Sequence, residues 1–371
     1  MKKIFLFITF LFVFLLCITL TVSAESSDDF YLTVIDNITD NLDEETIEIL
    51  GSLGFRNYTP DEISDMSFTE TIKTFFEVFS DNLSEPFEFI CISLAVIIFC
   101  SLSAGIISTE NKTGAYFQSV AVIFISLLAF SGIIDLINKT ISVIKVVCGF
   151  MKLLLPALTA VIAFSGKPAL ALSSGSVSVY VSEVIMVICD EFLAPLLCVF
   201  AAISLCASAN GNINVSPLIN LVKKIFSIIL GFLGTVYSGI LTLRDVVAAG
   251  TDKLTVKGIK FVLGSAVPIV GSTISDGFAA VLSALSLFKN TFGILGIIVC
   301  TVLVLPVLCR IILWILSLMV SEYVAVTFGK DIVSQVFASL RYVITMLLTL
   351  LFFMIFVFLI SVSSVLIIGG S

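Results

Sequence analysis

Five ionisable side chains sit inside strongly apolar sequence: Asp135, Lys152, Glu183, Asp276 and Glu322. A charge at that depth is costly unless it is paired or wetted, so such residues are first of all suspects for the passage of ions or polar solutes. Glu183, Asp276, Lys152 and Glu322 are the candidate transport or pore residues. Glu183 and Asp276 lie deepest, in stretches rich in Ser and Gly whose backbone groups could line a wet path. The plainer account of each is that it pairs with a lysine or caps a half-helix.

Other chemistry is narrowed by what is missing. The chain has no histidine, which removes the usual general base, proton shuttle and commonest metal ligand together. Serine–histidine and cysteine–histidine catalysis are excluded. The nine cysteines lie in or beside apolar runs without any CxxC spacing, and three pairs (91/100, 189/198, 300/309) are nine residues apart. That spacing puts partners on opposite faces of a helix, so these cysteines read as small apolar residues. No GxxxxGK[ST] occurs, because Ser165-Gly166-Lys167 lacks the upstream glycine, so energy would come from a partner or a gradient. No HExxH occurs either. The expectation is a protein that is not an enzyme and carries no cofactor or metal.

The elements that must hold these residues are membrane helices. Of 371 residues, 59% are apolar and 12% charged, with a mean hydropathy of +1.20. Soluble domains carry about 25% charged residues, so this surface belongs in a bilayer. Residues 1–24 read as a signal peptide: Lys2 and Lys3, an uncharged run, then Val22-Ser23-Ala24. Residues 25–86 form an acidic segment on the extracytoplasmic side, and 17 of the 27 acidic residues lie between Glu25 and Glu88. Its end is an amphipathic helix, with Ser67-Phe68-Thr69-Glu70 as capping box. Ile72, Phe75, Phe76, Phe79 and Leu83 face one way there, and Lys73, Glu77 and Asp81 the other. That helix either lies along the bilayer surface or packs on its own domain.

Residues 87–371 form a multi-span, all-α membrane domain. The apolar runs fall near 89–107, 117–137, 146–165, 169–189, 192–209, 225–243, 261–287, 291–309, 311–328 and 342–368. Several are short or interrupted by Gly, Ser or Pro, so about seven to nine transmembrane helices are expected, some broken or re-entrant. If all ten crossed, the basic loop 244–260 would lie outside, against the positive-inside tendency. No nucleic-acid footprint is present.

Pro156, Pro268, Gly175 and Gly277 are candidate hinges or helix breaks. Pro156 and Pro195 are 39 residues apart and Pro268 and Pro306 38 apart, a weak hint of duplicated halves with interrupted segments in corresponding places. Small residues, Gly231, Gly234, Gly239, Gly264, Gly271, Gly293 and Gly296, predict close helix packing within the chain or between subunits of a homo-oligomer.

The run from Thr255 to Gly264, then Val267-Pro268-Ile269-Val270-Gly271, Ser275-Asp276 and Lys289-Asn290-Thr291-Phe292-Gly293-Ile294-Leu295-Gly296 resembles the stage III sporulation protein AE family of endospore formers. The matching positions are Lys257, Lys260, Gly264, Pro268, Gly271, Asp276, Lys289, Asn290, Gly293 and Gly296. The overall plan, from signal peptide to polytopic body, is similar too. The resemblance implies a multi-pass protein of the mother-cell membrane around the forespore. It implies membership of a channel or secretion-like complex required for forespore development. The implied partners are the other proteins of the stage III sporulation A operon, including an ATPase, and the forespore stage II sporulation protein Q. An autonomous secondary transporter and a non-conducting membrane scaffold are the competing expectations.

Overall fold

In hydrocarbon every backbone donor and acceptor must be satisfied inside its own segment, which favours helices wherever the chain is continuously apolar. The computed structural model describes residues 68–106, 113–164, 168–209, 217, 220–240, 242, 271–329 and 331–370. The signal peptide, most of the acidic segment, the loop 244–260 and the motif positions Lys257, Lys260, Gly264 and Pro268 lie outside the described residues.

All described elements are helical. They are α1 (Phe68–Asp81), α2 (Ser84–Ile106), α3 (Thr113–Phe164) and α4 (Pro168–Val187), a π-helical turn Ile188–Leu193, α5 (Ala194–Ala209), α7 (Gly271–Thr327) and α8 (Asp331–Gly370); between α5 and α7 runs α6 (Asn220–Ile240). Six stretches among the described residues are long and apolar enough to cross a membrane: one from the end of α1 through α2 (Phe76–Phe99), and one each in α3, α4–α5, α6, α7 and α8. The count is lower than the number of apolar runs because neighbouring runs fuse. Runs 117–137 and 146–165 form the single 52-residue α3, and 291–309 and 311–328 lie in the 57-residue α7. Lys139, Lys145 and Arg310, which divide these runs in the sequence, are helical residues whose charges are met by carboxylates.

Contacts fix the helix directions. Arg310 meets Glu85, Ser317 donates to the Pro86 carbonyl (3.0 Å) and Ser93 meets Ser321 (2.7 Å), so α2 runs parallel to α7. Asp135 meets Arg310 while Leu154 abuts Gly296, so α3 is antiparallel to α7. Lys145–Asp190 and Lys152–Glu183 make α4 antiparallel to α3. Glu322–Arg341 pairs α7 with an antiparallel α8. Lys223 over Tyr342 and Tyr237 against Ser361 set α6 parallel to α8. The spans therefore alternate in direction. Between α7 and α8 the reversal is tight: Gly329, at φ 65°, donates its N–H to the Val326 carbonyl (2.9 Å). That left-handed helix end is cheap only for glycine.

The core is one apolar cluster in which α7 and α8 are central. Trp314 packs on Phe89 with ring centroids 5.2 Å apart, and Phe89 meets Phe337 edge-on. Gly132 lets α3 approach this ring, since a Cβ there would overlap the indole. Gly296 does the same against Leu154. Gly231 and Gly239, by contrast, face open space. In α1, Val78 is buried against the bundle while Phe76 is 64% exposed, and α1 leans on α7.

Candidate functional site

Charges inside an apolar bundle need partners, and the fold supplies one for each candidate whose side chain is described. Lys152 of α3 makes an ion pair with Glu183 of α4. Two helical turns along, Lys145 pairs with Asp190 at 2.9 Å. In each helix the two charged residues are seven apart, so their side chains lie near one line along the α3–α4 contact. Antiparallel packing then matches them rung to rung. Each of these four side chains is between 38% and 48% exposed on the isolated chain.

The lower rung is shaped by the π-helical turn. Pro195 has no N–H for an α-helical bond to the Glu191 carbonyl, and the chain takes its widened turn, Ile188–Leu193, just before it. Ala194 donates its N–H to the Cys189 carbonyl there, while Cys189 and Leu193 turn inward. π-turns are uncommon and often mark functional positions. Beside it lies an open groove of about 360 Å³ lined by Asn138, Ser142, Lys145, Asp190, Pro195 and Cys198, among others.

A second charged cluster ties three helices. Arg310 of α7, whose side chain is only 12% exposed, contacts Glu85 at the start of α2 and Asp135 of α3 at 3.0 Å. Asp135 also meets Lys139 one turn on, at 3.2 Å. The third pair is bidentate: Arg341 donates from Nε (2.8 Å) and Nη2 (3.3 Å) to Glu322 across the α7–α8 hairpin. Next to it, Lys223 of α6 lies 3.3 Å above the Tyr342 ring, a cation–π contact that joins a third helix. Further along, the buried Tyr237 hydroxyl of α6 meets Ser361 of α8, which itself donates to the Val357 carbonyl at 2.7 Å.

Asp135, Lys152, Glu183 and Glu322 are thus placed at helix–helix contacts in three separate places, not in one cluster. Asp276, Gly271 and Gly277 lie in the first part of α7, and Lys289 and Asn290 further along it; the side chains of 271–292 are outside the described residues. Gly293 and Gly296 fall in the same helix. Pro156 stands inside α3, Gly175 inside α4 and Gly277 inside α7, each in continuous helix. The paired prolines take different settings, since Pro195 opens α5 while Pro306 is internal to α7. Residues not singled out from the sequence, Lys145, Asp190, Arg310, Arg341 and Glu85, complete the pairs. Equal seven-residue spacings on α3 and α4 were the available signal for the first two. Among the described residues no group of three or more His, Cys, Asp or Glu could hold a metal ion.

Comparison with known proteins adds a family context. The family described as Stage III sporulation protein AE matches residues 57–369. Stage III sporulation protein AE of Bacillus subtilis (strain 168) is 29% identical over 190 residues, covering 51% of this chain and 47% of that protein. The alignment therefore spans about half the length of that curated relative. No solved structure matches this chain.

Proposed function

The chain belongs to the stage III sporulation protein AE family, and from that premise we propose that it is an integral membrane subunit of a channel or secretion-like complex linking mother cell and forespore. Its place is the mother-cell membrane surrounding the forespore, and its loss blocks forespore development. Its partners are the other proteins of the stage III sporulation A operon, an ATPase among them, and stage II sporulation protein Q on the forespore side. In this role the chain carries no catalytic step. The observation that carries the reading is the family match over nearly the whole polytopic body.

The test is genetic and biochemical together. In an endospore former expressing this chain, its deletion should arrest sporulation after engulfment. An affinity-tagged copy should bring down the ATPase and the other operon proteins from membranes of sporulating cells. Normal spores without the chain would sink the proposal, as would a tagged, functional copy that purifies free of every operon protein. Transport of a defined solute by the purified chain alone in liposomes would favour the permease reading instead.

A further inference from the structure

The outward face of α3 carries a polar stripe. Asp135, Asn138, Lys139, Ser142, Lys145 and Lys152 follow one another at intervals of one to seven residues that keep to one side of the helix, and none of them is buried. From Asp135 to Lys152 the stripe is about 26 Å long at 1.5 Å per residue, close to the thickness of the hydrocarbon core. Glu183 and Asp190 of α4 join it from the side, and the groove described above opens onto its middle.

This stripe runs through the apolar stretch Ile123–Ala160. About 20 helical residues cross the hydrocarbon. Any window of that length within Ile123–Ala160 contains at least two charged residues of the stripe and at least one polar companion. Wherever the crossing falls within Ile123–Ala160, part of the stripe therefore stays in the hydrocarbon. Charges turned toward lipid are among the costliest arrangements in a membrane protein, and salt bridging relieves only part of that cost while each partner stays 38–48% exposed. An oily face would have been equally compatible with the helix.

We propose that this face lines a water-filled path through the hydrocarbon, with α3 and α4 as one wall and small polar or ionic solutes as its contents. It deepens the role assigned above, and its test can fail while that role stands. Mixed sign, Lys145 and Lys152 against Asp190 and Glu183, gives the wall little net charge, so the path selects by size more than by sign.

The test is reaction with a charged, membrane-impermeant thiol reagent in native membranes, using single cysteines in a cysteine-free chain. Asn138→Cys and Ser142→Cys probe the stripe. Phe192→Cys and Val199→Cys, both exposed and neither lining the groove, bracket the same height. The stripe positions should react at least tenfold faster than these two control positions. Equal slow reaction of all four would overturn the path, because the stripe would be dry. Equal fast reaction would overturn it too, because that part of the bundle would lie outside the hydrocarbon. Should the cysteine-free chain not fold, mass-spectrometric mapping of the wild-type protein decides: Cys198 in the groove should be modified and buried Cys300 spared, and an unmodified Cys198 refutes the path.

Discussion

Replacing Arg310 by methionine keeps the stem of the side chain and removes its charge, leaving Glu85 and Asp135 without the guanidinium they share. At 3.0 Å and an effective dielectric near 20, one such pair is worth about 5.5 kcal/mol before desolvation. Breaking a buried pair on one side costs about 3–5 kcal/mol. Two features reduce that here: Asp135 retains Lys139 at 3.2 Å, and Glu85 is 53% exposed. The expected loss is about 2–3 kcal/mol. Lys152→Met is the comparison, because its pair with Glu183 is about two-fifths exposed at both ends and should cost at most about 1 kcal/mol. The reporter is built in, since Trp314 is the only tryptophan and sits one turn beyond Arg310 in α7. Its fluorescence during reversible SDS titration of the reconstituted protein gives each stability. Arg310→Met and Asp135→Asn should be less than additive, with a coupling of about 1 kcal/mol or more. Strict additivity, or equal losses for Arg310→Met and Lys152→Met, would refute the assignment of Arg310 as the tie between α2, α3 and α7.

Other outcomes follow from the same geometry. Gly132→Ala should cost about 1–3 kcal/mol, because its Cβ overlaps the Trp314 ring, and should shift the tryptophan emission. Gly231→Ala should be neutral or slightly stabilising, because open space lies there; comparable losses for the two would discard the close-approach argument. Tyr237→Phe should lose about 0.5–1.5 kcal/mol, and Ser361→Ala should cost less in the Tyr237→Phe background than alone, since the two hydroxyls share one contact while Ser361 has a further bond to the Val357 carbonyl. Reversing one member of the ladder rung, Lys152→Glu, should lower the amount of protein and of spores, and adding Glu183→Lys should restore both. A double variant as defective as the single would show that the pairing itself is not what matters.

Much of the fold was legible because apolar length alone forces helices in a bilayer, and the amphipathic pattern ahead of Ser84 appears as α1. The number of helices was harder to read. Short charged interruptions such as 138–145 look like loops in a one-dimensional profile, yet they continue the helix once an antiparallel neighbour offers the opposite charge. The same reason limited the site reading. Glu183 and Glu322 stood out as isolated acids, but their partners Lys152 and Arg341 lie 31 and 19 residues away. Only packing shows which lysine or arginine each one meets. Arg310 drew no notice because it marks the border between two apolar runs, and its 12% exposure is a property of three helices at once.

The alternation of helix directions carries a consequence of parity. The candidate spans among the described residues number six, an even count, and their alternating directions put the start of α2 at Ser84 and the end of α8 on one side of the bundle. Phe164, where α3 closes, returns to that side as well, whereas Ile106, Ala209 and the Gly329 reversal share the opposite one. The approach to the bundle through α1 and its exit through α8 therefore meet the same compartment. A partner that grips both the α1 end and the α8 end of the described bundle does so from a single face, without reaching across the membrane.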